Sequence, residues 1–229
     1  MAENNIKAIA FDLDGTLVDS VPDIAVAAQL MLEELNLPSC SELNVRSWVG
    51  NGAEVLVRRA LVHSLKQIPS SEQVEQAFSL FLTHYQQQLN RHSCLYDGVE
   101  ETLLLLVQQG YQLAVVTNKP IQFVAPILQA FDIEQHFSLV LGGDSLAAKK
   151  PDPLQLNHIM NTWVLEEEQL LMVGDSKNDI LAAKSAEIAS IGLTYGYNYG
   201  EDIRLSGPNA VFDDFSDILS WVLTHFKKH

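Results

Sequence analysis

Short apolar runs rich in β-branched residues recur along the chain at 6–11, 113–116, 137–141, 170–173 and 189–193. Runs of this length, apolar on successive positions rather than on alternate ones, predict strands buried on both faces, as in a parallel sheet. Amphipathic stretches alternate with them. Segments 99–109 (closed by Gly110), 120–131, 153–163 and 176–187 predict helices, two of them opening on proline. Strand-helix alternation of this kind predicts an α/β fold with an open, doubly wound parallel sheet.

The interval between the first two strands breaks the alternation. It holds no strand signal and three helical stripes: Ile24, Ala27, Ala28, Met31 and Leu35; Leu56, Val57, Ala60, Leu61 and Leu65; Val74, Ala77, Phe78, Phe81, Leu82, Tyr85 and Leu89. The first stripe opens with Ser20 and Asp23, spaced as a capping box. Such faces need one another for burial, so the expectation is an inserted all-helical domain over 18–94, tethered near 16–20 and 93–98. The α/β core then takes 1–17 and 95–229.

Charge narrows the partners. Fourteen Lys plus Arg against 29 Asp plus Glu give a net charge of -15. That is the wrong sign for gripping nucleic acid, and it repels small anions unless a local cation reverses the field. No segment has the length and apolarity of a membrane span or a secretory leader, so no membrane partner and a cytoplasmic location are expected. Cys40 and Cys94 lie far apart in no metal-ligand spacing and read as reduced thiols.

Candidate chemistry sits at the carboxyl ends of the predicted strands, where open α/β sheets gather ligands. The first strand ends in Asp12-Leu13-Asp14-Gly15-Thr16, the second in Thr117-Asn118-Lys119 and the fourth in Gly174-Asp175-Ser176-Lys177-Asn178-Asp179; Lys149-Lys150-Pro151 follows the third. Taken alone, Asp12 and Asp14 could be a solvated turn, Thr117 a strand-end hydroxyl and Lys150 a surface lysine. Convergence is what carries weight. Acids from two strand ends in one crevice repel unless a divalent cation sits among them, and oxygen donors suit magnesium.

These residues also carry a resemblance. FDLDGTLVDS, VVTNK, the Lys150-Pro151 step and VGDSKNDI resemble, in order, the four motifs of the haloacid dehalogenase superfamily, and the helical insert resembles its mobile cap. WVGNGAEVLVRRAL, TNKPIQFVAPILQAFDI, LGGDSLAAKKPDP and SIGLTYGYNYGE are similar to its bacterial phosphoglycolate phosphatase subgroup along nearly the whole chain. Two departures from that subgroup stand out: Asp97 where a proline is usual, and Glu187 where a glycine is usual.

The resemblance implies a phosphatase with Mg2+ as cofactor and a small phosphorylated metabolite, 2-phosphoglycolate, as substrate. In it Asp12 is the nucleophile, forming a phosphoaspartyl intermediate, and Asp14 the acid/base. Thr117, Asn118 and Lys150 bind the phosphoryl group. Asp12, Asp175 and the Asp14 backbone carbonyl hold the metal. Gly50 and Asn51 belong to the cap loop that closes over the substrate. Asp179 has two readings, orienting Lys150 or water at the metal, and favouring the start of the following helix. Arg46, Arg58, Arg59 and Lys66 are candidates for a cap cation facing a substrate carboxylate, although arginine on a helix face is more often solvated. A sugar-phosphate or nucleotide phosphatase, a phosphomutase and a receiver-like phosphoacceptor module stay open as alternatives. A monomer or weak homo-oligomer is expected.

Overall fold

The computed structural model describes residues 6–225. The outer ends of the expected core range, 1–5 and 226–229, lie outside the described residues. Six parallel strands form one sheet: β1 (Ala8–Phe11), β4 (Gln112–Val116), β5 (Leu139–Leu141), β6 (Leu170–Gly174), β7 (Ala189–Leu193) and β8 (Ala210–Phe212). Their order is β5-β4-β1-β6-β7-β8. The chain therefore builds outward from β1 on one side, then returns to build outward on the other, and β1 marks the switch point where ligands bind in such sheets.

Nine helices among the described residues complete the molecule. Helices α1 (Val21–Glu34), α2 (Glu42–Arg46), α3 (Ala53–Leu65) and α4 (Ser71–Gln88) lie between β1 and β4. Next come α5 (Val99–Gln108), α6 (Val124–Ala130), α7 (Leu154–Trp163), α8 (Lys177–Ser185) and α9 (Asp217–His225). One face of the sheet buries Phe11, Leu103, Leu113, Ile127 and Phe215, and the other buries Ala10, Val116, Ile159, Met172 and Ala183. Burial on both faces is what removed the alternation from the strand sequences. The inserted helices share a separate core around Met31, Leu32, Val57, Leu61 and Phe81, which extends to Phe123 and Tyr197 of the α/β unit. Among the described residues no helix is long and apolar enough to cross a membrane.

Three expectations change. The tethers to the insert are not plain linkers, because β2 (Val18–Asp19) and β3 (Cys94–Leu95) pair antiparallel into a two-stranded ribbon. β8 carried too weak a pattern to predict, being three residues of intermediate burial at a sheet edge, whereas α9, with Ile218 and Val222 buried four apart, is an amphipathic helix absent from the expected elements. Finally, Ser20 is the N-cap of α1 without a side-chain cap bond. Its hydroxyl donates instead to Asp14 at 2.5 Å, while Asp23 accepts from the backbone of His92 and Ser93 at 2.8 and 3.1 Å. Both side chains have stronger partners in the fold than a helix end offers, and they join the insert's entry to its exit.

Glu187 shows why its position favours glycine. α8 ends with Glu187 in the left-handed region, φ 58°, and the chain reverses there through Ile188 N–H to the Ala183 carbonyl at 3.0 Å. A side chain in that conformation is strained, and Glu187 is exposed with nothing to repay it. Glu187→Gly is expected to stabilise the protein by about 1 kcal/mol, less the entropy glycine loses on folding. Urea denaturation checks this; a lower midpoint for the variant contradicts it.

Candidate active site

Pairing in register places Phe11 of β1 beside Val115 of β4 and Val173 of β6. The residues that follow these three strands therefore emerge side by side at one end of the sheet. Asp12, Asp175 and Asp179 each bring one carboxylate oxygen to within 4.8 Å of the other two, and all three residues are buried. Lys150 Nζ stands among them, 3.0 Å from Asp12 Oδ1 and 2.6 Å from Asp179 Oδ1, and donates to the Val116 carbonyl at 2.6 Å.

The charges in this cluster do not balance. Three carboxylates face one ammonium, leaving two negative charges in a buried place. Burial pushes the Asp12 carboxyl up to about 7; Lys150 opposes the rise, and Asp179 and Asp14 add to it. Asp175 is also raised well above the ordinary carboxylate range, by burial first and then by Asp179 and Asp12. A divalent cation carries the charge this donor set lacks, and carboxylate oxygens suit a hard ion. The residues present fit such a cation.

Backbone geometry permits this crowding. Asp175 accepts from Thr16 Oγ1 and from Tyr197 N–H, each at 2.8 Å. Gly15 packs directly on it with φ 89°, and a Cβ at that position would run into the carboxylate. Asp179 satisfies both of its readings: Oδ1 pairs with Lys150, while Oδ2 accepts from Ser176 N–H at 2.9 Å and Ser176 Oγ at 2.7 Å at the start of α8.

The Asp14 side chain stands apart from the three-acid cluster. Lys119 Nζ approaches its two oxygens at 2.9 and 3.0 Å, and Ser20 donates to it as well. Any metal contact from Asp14 thus falls to its backbone carbonyl. Thr117 is buried at the end of β4 and its hydroxyl accepts from Lys119 N–H at 3.2 Å. Asn118 Nδ2 donates to the Lys150 carbonyl at 2.9 Å and to the Gly50 carbonyl at 2.8 Å.

That last contact crosses to the helical domain. The Gly50 carbonyl accepts a second bond, from Asn178 Nδ2 at 3.0 Å, so the cap loop is latched to two strand-end amides. Asn51 does not face inward: its Oδ1 accepts from Arg59 at 2.9 Å. Between core and cap lies a cavity of about 40 Å³, with Asp12, Asp14, Thr117, Asn118 and Lys119 on one side and Val49, Gly50, Leu56, Phe81 and Tyr85 on the other.

None of the four candidate cap cations lines this cavity. Arg46 pairs with Asp19 and Glu42 at 3.3 and 3.1 Å, and Arg58 with Glu54 at 3.4 Å. Arg59 donates to the Trp48 carbonyl at 2.7 Å and stacks over Tyr199; Lys66 is an exposed helix end. The cation that lines the cavity is Lys119, one residue past the strand-end amide. In sequence a lysine there reads as solvated. Tyr85 likewise reads as one more apolar position of its helix. Tyr197 is equally hidden: its N–H holds Asp175, while its hydroxyl accepts from Ser20 and Val21 N–H at 3.0 and 3.3 Å and donates to Asp19 at 2.8 Å.

Known proteins are similar to this chain along most of its length. The haloacid dehalogenase-like hydrolase family matches residues 9–193. The phosphoglycolate phosphatase of Vibrio vulnificus (strain YJ016) is 52% identical over 225 residues, spanning 97% of this chain and 99% of that protein. The phosphoglycolate phosphatase of Haemophilus influenzae (strain ATCC 51907 / DSM 11121 / KW20 / Rd) is 49% identical over 217 residues, 93% of this chain and 97% of that one. A crystal structure of a predicted phosphoglycolate phosphatase from Haemophilus somnus 129pt superposes with TM-score 0.91 at 47% identity, covering 94% of this chain and 97% of its own. With strand-end acids, a buried lysine and an inserted helical cap set on a switch-point sheet, the chain belongs to the haloacid dehalogenase-like hydrolase family.

Proposed function

We propose that the protein is a magnesium-dependent phosphatase that hydrolyses 2-phosphoglycolate to glycolate and inorganic phosphate through a phosphoaspartyl intermediate on Asp12. The observation that carries this reading is a division of labour between two acids on one cavity: Asp12 sits in the cluster fitted to a cation, and Asp14 stands outside it against Lys119. Identity of about half to phosphoglycolate phosphatases over nearly the full length supports the substrate.

In the first half-reaction an Asp12 oxygen forms a bond to phosphorus as the ester oxygen leaves, and Asp14 gives that oxygen a proton. In the second, Asp14 takes a proton from water as the water oxygen bonds phosphorus, and Asp12 departs as carboxylate. Lys150 offsets the charge between Asp12 and the phosphoryl oxygens, which the Thr117 hydroxyl and Asn118 backbone amide hold in place. Asp12, Asp175 and the Asp14 carbonyl would hold magnesium, and Asp179 fixes Lys150 beside them. Bound there, the ion supplies positive charge to the transferring phosphoryl group. Two free thiols, Cys94 exposed among them, suit a reducing compartment, and we place the protein in the cytoplasm.

Phosphate release from 2-phosphoglycolate, measured beside sugar phosphates and nucleotides with magnesium and with chelator, is expected to favour 2-phosphoglycolate and to need the metal. Equal rates across the panel remove the substrate. Asp12→Asn is expected to lose roughly 10³-fold or more in kcat; near-normal turnover by that variant ends the nucleophile assignment.

Stability should report the cation through pH. Because the folded Asp12 carboxyl titrates near 7 and the unfolded one near 3.8, the metal-free fold holds a proton in that window that the unfolded chain has lost. Its metal-free contribution to stability therefore falls as pH rises from about 4 to about 7 and then levels. Magnesium requires the ionised acids, so the rise in Tm on adding it should be small near pH 5 and full above about pH 7. Thermal denaturation across that range checks the trend, and an equal shift at both ends contradicts it.

A further inference from the structure

The cavity holds two buried polar side chains that face the same space, and although the Lys119 ammonium can donate to the Tyr85 oxygen, nothing there accepts the phenol proton. Tyr85 of α4 is 2% exposed, and among the described residues its hydroxyl proton has no acceptor. Its ring is fixed, stacked on Phe81 with centroids 5.7 Å apart and set edge-on to Phe123 at 4.9 Å. Lys119 is 6% exposed, and its ammonium lies 4.7 Å from the centre of the Tyr85 ring. An ammonium has three N–H donors and no acceptor, so it uses one or two on Asp14 and can take no proton from the phenol.

Both groups keep their protons at neutral pH. Burial pushes the Tyr85 phenol up to about 12. Burial works against the Lys119 ammonium, but Asp14 overrides it and holds the group above the ordinary lysine range. A buried donor without an acceptor is costly, and an unaccepted phenol proton beside a buried ammonium on one cavity calls for a ligand that brings acceptors and negative charge. The phosphoryl group does not supply them, because its place is at Asp12, Lys150 and Thr117. The remaining end of the substrate does.

We propose that Lys119 and Tyr85 form the subsite for the carboxylate of a small phosphorylated acid, Lys119 as its counter-ion and the Tyr85 hydroxyl as its hydrogen-bond donor. The core thus supplies the cation and the cap supplies the neutral donor, so an acid of the right length engages both only when the cap is shut. This assignment rests on the phosphatase reading above and explains why no arginine or lysine of the cap enters the cavity.

The test compares 2-phosphoglycolate with 2-hydroxyethyl phosphate, which replaces the carboxylate by a neutral hydroxymethyl group at the same chain length. In the wild-type protein kcat/KM should favour 2-phosphoglycolate. Tyr85→Phe removes one donor to a charged group and should lower that preference roughly 10- to 100-fold, chiefly through KM for 2-phosphoglycolate. Lys119→Met should lower it at least as far, and Lys119→Arg should recover part of the loss. Tyr85→Phe deletes a single atom, so it carries the test if Lys119→Met fails to fold. A wild-type preference that survives unchanged in Tyr85→Phe overturns the subsite and leaves the phosphatase reading standing. Phosphate release from both esters with no wild-type preference overturns the subsite and the 2-phosphoglycolate assignment together, while the chemistry on Asp12 survives.

Discussion

One buried ammonium surrounded by three buried carboxylates is the constraint on which the rest of the molecule depends. Lys150 binds Asp12, Asp179 and the Val116 carbonyl, and so joins the ends of β1, β4 and β6. Its own charge does not neutralise the acids it joins. The site therefore holds its acids in a state that a cation improves, and the fold bears that imbalance through a sheet whose central strands are buried on both faces. Small residues are required around it: Gly15, Gly174 and Gly196 all lie where a Cβ would strike Asp175 or Asp179.

A second constraint follows from the first. A strongly charged site needs water kept out during reaction, and the helical domain supplies the cover. Its contacts with the core are apolar through Phe123 and Tyr197 and polar around the Gly50 loop. The Gly50 carbonyl meets Asn118 and Asn178, and Tyr199 abuts Gly50 while its hydroxyl accepts from Asn178 at 2.8 Å. Tyr197 reaches from Asp175 to the first residues of α1. The segment after β7 thus touches the cation-fitted cluster and the hinge of the cap at once.

Much of this was legible in the sequence, for a physical reason. Buried parallel strands write themselves as unbroken apolar runs, and strand-end acids are conspicuous because open sheets leave their carboxyl ends as the only crevice. Asp12, Asp14, Asp175 and Asp179 could be named on that basis. What stayed hidden depends on long-range partners. Lys119 acquires meaning only when Asp14 and Tyr85 stand against it, contacts that join residues 105 positions apart in one case and a core loop to a cap helix in the other. Ser20 and Asp23 fit a local capping rule yet answer to Asp14 and to the returning chain. Asn51 is expected at the substrate through the resemblance of its loop, and in the structure its side chain accepts from Arg59. β8 escaped because three half-buried residues at a sheet edge leave almost no periodicity.

The central claim is that Asp12 is covalently phosphorylated during turnover, and the most direct measurement is to trap that species. Protein quenched in the first turnover with 2-phosphoglycolate and magnesium is treated with borohydride, which reduces an acyl phosphate to the alcohol, and is then digested for mass spectrometry. The account predicts reduction of the side chain at position 12 alone, dependent on substrate and magnesium and absent in the Asp12→Asn variant. Steady phosphate release with an unmodified Asp12 throughout, or with the reduction at another carboxylate, contradicts it.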